Sequence, residues 1–310
     1  MEIVSCNLCR STNYTLLYQI PDLLMDKKDE LFSLVKCDHC GLIYQNPRPT
    51  QREIEHYYPQ EYEPYYQERS ENWIVKKVNR YGIEKRCRII NSLPGIKKGG
   101  NLLDIGCSTG LFLNELQQTG IWKVSGIEPN EFAAHIARER FKLIVFIGSL
   151  SETNYPTGFF DVVTLWDVLE HLPDPADTLN EISRITKPQG YLVMRIPNYD
   201  SLDSILFGSA WAGLDLPRHY YVFSRQNIRQ FIEKKDFVIK KISGGIGTYP
   251  TFTLSIRFWL TIHSIDSSIR KKIIGILNHP LVKLLSAPFF YFYGLFRLGS
   301  EITVIAKKLG

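Results

Sequence analysis

The sequence predicts a doubly wound α/β fold built on a seven-stranded, mostly parallel sheet. An N-terminal zinc ribbon precedes it, and a helical insertion stands before the last strand. Three observations carry this reading. From Asn101 onward, short apolar runs alternate with helix-length stretches, as in a parallel sheet covered on both faces. The first of these runs closes on "LLDIGCSTG", an acid followed by a glycine turn. Two Cys-x-x-Cys knuckles, Cys6/Cys9 and Cys37/Cys40, lie near the start of the chain.

Residues 1–50 form the zinc ribbon, in which the two knuckles bring four thiolates into tetrahedral reach of one zinc ion. The 27 residues between the knuckles leave room for a small hairpin. His39 stands between knuckle cysteines and is not expected to be a ligand. Residues 51–98 begin with the tyrosine-rich "HYYPQEYEPYYQERS", a linker or lid. One or two helices follow, with Trp73, Val78, Ile83, Ile89 and Ile90 on a common face.

Residues 99–248 with 299–310 make the α/β core. Strands are expected at Leu102–Ile105, Val124–Ile127, Leu143–Ile147, Val162–Trp166 and Tyr191–Ile196, then at "DFVIKKIS" and "EITVIAKK". Helices lie between them at Leu111–Gln118, Glu131–Arg140 and Pro175–Thr186. Residues 249–298 read as three helical segments whose apolar faces are flanked by Arg257, Arg270, Lys271, Lys272 and Lys283. Such faces suit a peripheral membrane contact, a helical cap on the sheet, or a homodimer surface.

Composition sets the bounds. The chain of 310 residues is 44% hydrophobic and 22% charged with a net charge of +5, too mild a balance to imply a nucleic-acid partner. From Arg225 to the end there are 14 Lys+Arg against 4 Asp+Glu, so the basic charge is concentrated there. The start, "MEIVSCNLCR", has no signal-peptide pattern, and no uninterrupted apolar run reaches the length of a membrane span. The expected location is cytoplasmic with reduced thiols, any peripheral contact being at the inner membrane face.

Ligands of open parallel sheets bind outside the carboxyl ends of the strands. The turn after the first core strand keeps only Gly106 and Gly110, so it matches neither a dinucleotide fingerprint nor a Walker loop. Glu128 ends the second strand, where an acid can accept hydrogen bonds from two ribose hydroxyls. A nucleoside without pyrophosphate, carrying a compact zwitterionic tail, satisfies both features. S-adenosylmethionine is such a ligand.

"LLDIGCSTG", "GIEPN" and "FDVVTLWDVLEHLPDP…LNEISRITKPQGYLVMRIPN" together resemble the successive motifs of the class I S-adenosylmethionine-dependent methyltransferases over residues 100–245 and the last strand. The resemblance implies a cofactor site made by Asp104, Gly106, Cys107, Gly110, Glu128, Pro129, Ser149, Leu150, Trp166 and Asp167. Ser108 stands where the family more often has glycine, and Ser149 where it often has an acid. The knuckles with "CGLIYQNPRP" resemble the zinc-binding front module of deoxysugar C-methyltransferases. The overall layout is similar to methyltransferases of surface-polysaccharide and lipid biosynthesis.

Methyl transfer to a hydroxyl needs a base. His219, in "LPRHYYVFS", and His171, after the fourth core strand, are the candidates, with Tyr220 shaping the pocket. His171 also reads as a structural residue, and Arg218 as a phosphate ligand or a surface arginine. The expected function is an enzyme that methylates a small-molecule, sugar or lipid-linked glycan acceptor, using S-adenosylmethionine and carrying zinc. Two other readings stay open: a non-catalytic cofactor-binding protein with a zinc interaction module, and an RNA methyltransferase that grips nucleic acid through its ribbon. The fourth strand lacks the Asp/Asn-Pro-Pro-aromatic sequence of amide- and adenine-nitrogen methyltransferases.

Overall fold

The computed structural model describes residues 1–58, 73–96, 98–244 and 248–310. Most of the tyrosine-rich stretch expected to be a linker or lid, residues 59–72, lies outside the described residues.

The chain opens with the first knuckle, whose turn is closed by Arg10 N donating to Cys6 O (2.8 Å). Strands β1 (Tyr14–Asp22) and β2 (Lys27–Cys37) then pair antiparallel, filling the space between the knuckles with the expected hairpin. The second knuckle turns through Gly41 at φ +74°, and β3 (Ile43–Gln45) returns along β2. A fourth strand completes this sheet from far away in sequence: β9 (Tyr221–Val222) pairs with β3. The ribbon sheet is therefore finished by the loop that carries His219, and a reading that ends the ribbon at residue 50 misses this strand.

One helix, α1 (Trp73–Asn91), leads into the core and packs Ile83, Ile89 and Ile90 on the main sheet. The sheet comprises β4 (Gly100–Ile105), β5 (Trp122–Glu128), β6 (Ile144–Ile147), β7 (Phe160–Trp166), β8 (Thr186–Pro197), β10 (Phe237–Gly244) and β11 (Glu301–Lys308). Its order is β10-β11-β8-β7-β4-β5-β6, with β4 to β8 parallel and β11 antiparallel to both its neighbours. Side chains alternate across a strand, and both faces here are apolar. Leu103, Val163 and Leu192 enter one core, while their neighbours Leu102, Val162 and Val193 enter the other.

Helices α2 (Leu111–Gln118) and α3 (Glu131–Phe141) cover one face; α4 (Pro175–Ile185) and α6 (Arg225–Glu233) cover the other. Between the last two lies the short α5 (Leu202–Phe207). The caps are written in the sequence. Asn130, Asp174 and Ser224 each accept a backbone N–H from the first turn, worth about 1 kcal/mol apiece. The insertion forms α7 (Thr248–Ile262), α8 (Ser267–Asn278) and α9 (Pro280–Leu295). Helix α7 is tied down, with Phe258 buried beside Leu23, Ala210 and Ala212. Helix α8 buries no residue, and α9 only Tyr293.

Candidate functional site

The carboxyl ends of β4, β5 and β7 converge on a glycine turn. Gly106 has φ +72°, and a Cβ there would stand 2.5 Å from Val168 Cγ2. At Gly110, φ is +81° and a Cβ would stand 2.5 Å from Leu143 Cδ1. Both positions require glycine, on conformation and on space. Backbone N–H groups of Gly106 and Cys107 donate to Ile127 O at 2.8 and 3.0 Å.

Glu128 latches the turn. Its Oε2 accepts Ser108 N–H (2.8 Å), and its Oε1 accepts Asn130 N–H (2.9 Å). Burial pushes its pKa up, against the pull of these two bonds. Each oxygen keeps a lone pair for a further donor. Asp104, equally buried, accepts Thr164 Oγ1–H at 2.6 Å, and burial pushes its pKa up to about 7. Cys107 packs its thiol over Gly126, where a Cβ would lie 2.5 Å from Sγ. Pro129 follows Glu128. Beyond β6, Ser149 Oγ donates to the Glu152 carboxylate (2.6 Å), and Leu150 is buried.

At the end of β7, Trp166 packs edge-on against Phe112, with the Arg86 guanidinium 5.0 Å from its ring centroid. Trp166 Nε1 and Arg86 Nε are both buried without a hydrogen-bond partner. Asp167 (φ +58°) accepts Arg195 Nε–H at 2.7 Å and also contacts Arg195 Nη2; Arg86 Nη2 is 3.9 Å away. Burial works against its ionisation, yet Arg195 and then Arg86 hold the Asp167 pKa below the usual range. Two orphaned donors, two glycine positions that exclude a Cβ and an acid at the β5 end fit a nucleoside with a charged tail. Arg86 was not singled out from the sequence, because on an amphipathic helix it reads as a solvent-facing cation.

A second cluster joins the turn after β7 to the loop before β9. His219 Nδ1 lies 3.0 Å from Gly213 O, so it carries the proton it donates there and leaves Nε2 as an acceptor. Nε2 is 4.0 Å from Asp215 Oδ2. The His171 ring meets the His219 ring edge-on at 4.5 Å, and its Nδ1 is 2.8 Å from Tyr58 Oη and 3.1 Å from Arg218 O. Burial lowers both imidazole pKa values, that of His171 to about 3. Glu170, fully buried with both carboxylate oxygens unpartnered, lies beside them; burial and then the Asp167 charge push its pKa well above the ordinary range. Ligand atoms of Glu170, His171 and His219 lie within 4.8 Å of one another, close enough to hold a cation.

Tyr220 joins this cluster through its backbone, whose N–H donates to Glu170 O at 2.9 Å. Its ring lies under the Arg48 guanidinium at 4.8 Å, and burial raises its pKa to about 12. Arg218 is neither a surface residue nor a phosphate ligand. It is wholly buried, with Nη1 and Nη2 donating to Asp22 at 2.8 and 2.7 Å and Nη2 also to Asp215 at 2.8 Å. These pairs fix the His219 loop to the end of β1. A buried arginine so paired is costly to break and holds one geometry.

The four knuckle thiols converge. Cys6 Sγ is 3.4 Å from Cys40 Sγ, Cys9 Sγ is 3.5 Å from Cys37 Sγ, and all four lie within 4.8 Å of one another. Zinc–sulfur bonds of ~2.3 Å in a tetrahedron put sulfurs ~3.8 Å apart, so the set fits one zinc with every position taken by protein. The ribbon also braces the starts of α4 and α6. Asn7 Nδ2 donates to Asp174 Oδ1, and Asn7 Oδ1 accepts Ala176 N–H, both at 2.9 Å. Asn227 Nδ2 donates to Cys40 O at 3.1 Å, and Arg48 Nη1 to Pro173 O at 2.8 Å.

Comparison with known proteins identifies the family. A family model described as a methyltransferase domain matches residues 78–242, more than half of the chain. Ubiquinone biosynthesis O-methyltransferase of Alkalilimnicola ehrlichii is 30% identical over 118 residues, 36% of this chain and 46% of that protein. The protein of the same name from Thiobacillus denitrificans is 33% identical over 115 residues, covering 35% and 49%. The matches span about half the length of these curated relatives. Among solved structures, a Galdieria sulphuraria protein described as a sarcosine dimethylglycine methyltransferase superposes with a TM-score of 0.55 at 13% identity, over 76% of this chain and 88% of that one. Phosphoethanolamine N-methyltransferase 2 of Haemonchus contortus, in complex with S-adenosyl-L-methionine, gives 0.50 at 18% identity, over 73% and 53%. At these identities the structural likeness speaks to the fold alone.

Proposed function

Because this chain belongs to the class I S-adenosylmethionine-dependent methyltransferases, we propose that it methylates a hydroxyl of a small-molecule, sugar or lipid-linked glycan acceptor, with His219 as the base. The cofactor supplies a methyl group already activated on a sulfonium. Glu128 would hold its ribose, and Asp104, Gly106, Cys107 and Gly110 would line the turn around it. Pro129, Ser149 and Leu150 would flank the adenine, with Trp166, Asp167 and Arg86 around the amino-acid tail. Cys6, Cys9, Cys37 and Cys40 would hold a structural zinc.

One observation carries the choice of acceptor chemistry. The His219 imidazole is neutral, its Nδ1–H is committed to Gly213 O, and its Nε2 is free to take a proton. Asp215, kept ionised by Arg218, stands 4.0 Å from Nε2 and would stabilise the imidazolium that forms. The O-methyltransferase names of the relatives agree with a hydroxyl acceptor. The test is mass-spectrometric detection of methylated product from a panel of phenolic, sugar and lipid-linked acceptors, with isotope-labelled S-adenosylmethionine. Label entering a hydroxyl supports the reading; label entering only carbon or nitrogen overturns the acceptor class.

A further inference from the structure

Helix α9 has two unlike faces. The inner face is pinned: Tyr293 Oη donates to Asp203 Oδ1 at 2.7 Å, and Phe290 packs edge-on against Tyr249 and Phe252 at 5.0 and 5.4 Å. The outer face is bare. Leu281, Leu284, Leu285, Phe289, Phe292 and Leu295 recur at helical spacing and are 54–72% exposed. On α8, Ile269 and Ile276 add 48% and 63% exposure. Eight such side chains present on the order of 1,000 Å², against the ~300–600 Å² of the largest patch on a typical monomer.

Charge identifies what covers this face. From Ser267 to Ser300 there is no Asp or Glu, while Arg270, Lys271, Lys272, Lys283 and Arg297 are all present. A second copy of the chain would bring cations against cations, with no acid in the segment to pair them. An anionic phospholipid surface accepts both the apolar side chains and the cations. No described helix is long and apolar enough to cross a membrane alone; α8 and α9 pass that test only together, bent by 66°. The bend, the pinned inner side and the cations along the pair favour a place in the interface over a span.

We infer that the outer face of α8 and α9 docks this protein on an anionic phospholipid bilayer. The inference stands on this surface alone and does not depend on which acceptor is methylated. Its test is flotation of the full chain with phosphatidylcholine vesicles, with and without phosphatidylglycerol. The wild type should float with anionic vesicles at low salt. A Leu285→Asp/Phe292→Asp variant should stay in the soluble fraction. Lys271→Glu/Lys272→Glu should weaken capture at least tenfold, since each cation near an anionic surface is worth roughly fivefold in binding. Arg270 is left alone because its Nη1 bonds Thr261 Oγ1 (2.6 Å). Unchanged affinity for S-adenosylhomocysteine and an unchanged circular dichroism spectrum show that the variants are folded. Wild-type protein that stays soluble with anionic vesicles overturns the inference. If light scattering then finds a dimer that Leu285→Asp/Phe292→Asp splits, the face is a self-association surface instead.

Discussion

Replacing Glu128 probes the proposed cofactor site at the carboxyl end of β5. The carboxylate ties Ser108 N–H and Asn130 N–H at 2.8 and 2.9 Å, and under the proposed assignment its remaining lone pairs would accept the ribose hydroxyls. In Glu128→Ala the charge-assisted ribose bonds vanish, a loss of roughly 1.5–3 kcal/mol or ~10- to 150-fold in affinity. Glu128→Gln keeps the volume but gains little. One end of the side chain must now present an NH₂ to a backbone N–H, so one latch bond is lost as well as the charge. Because the site is buried, an orphaned donor there costs about 1–3 kcal/mol. The glutamine variant should therefore bind S-adenosylhomocysteine no better than about tenfold below wild type, and should also unfold at lower urea without ligand. Isothermal calorimetry and urea denaturation measure the two effects. Glutamine binding equal to wild type would refute the assignment of Glu128 to the ribose.

Two further outcomes follow from contacts at the edges of the site. Cys37→Ser should lower zinc below one equivalent by elemental analysis and cut turnover, because the knuckles brace Pro173–Ala176 and β9; calorimetric affinity for S-adenosylhomocysteine should hold within about threefold, since Glu128 and the glycine turn lie outside the ribbon. Arg86→Leu should weaken S-adenosylhomocysteine by roughly 10- to 150-fold, the loss of a charge-assisted bond to its carboxylate, while 5′-methylthioadenosine, which lacks that carboxylate, should bind the variant and wild type alike.

The main sheet was legible because its central strands β4, β7 and β8 carry short apolar runs, as strands buried on both faces need. The glycine turn was legible because a backbone at φ +72° and +81° with a crowded Cβ position leaves the sequence no alternative. What the sequence hid is non-local. Tyr221–Val222 looks like loop, and becomes strand only when β3 arrives from residues 43–45. Arg218 sits in "LPRHYY", a polar stretch that reads as surface; its partner Asp22 is distant in the chain and nothing local announces the pair. Glu170 carries no signal of its own in the sequence, since only the fold brings His219 beside it. The α8 and α9 segments were found from their spacing and from Pro280, yet helical periodicity predicts burial of an apolar face. That face is the exposed one here.

The central claim is a methyl transfer in which His219 Nε2 takes the acceptor proton, and turnover of His219→Ala beside its cofactor affinity tests it most directly. In this variant kcat should fall by ~10²–10⁴ with S-adenosylhomocysteine affinity unchanged. The same base also fixes the acid limb of the wild-type kcat profile. Protonated His219 is inactive and burial lowers its pKa, so the rate should persist below the ordinary imidazole value of ~6.5 and fall only at lower pH. A His219→Ala enzyme that keeps most of its turnover, with the same acid limb as wild type, would contradict the claim.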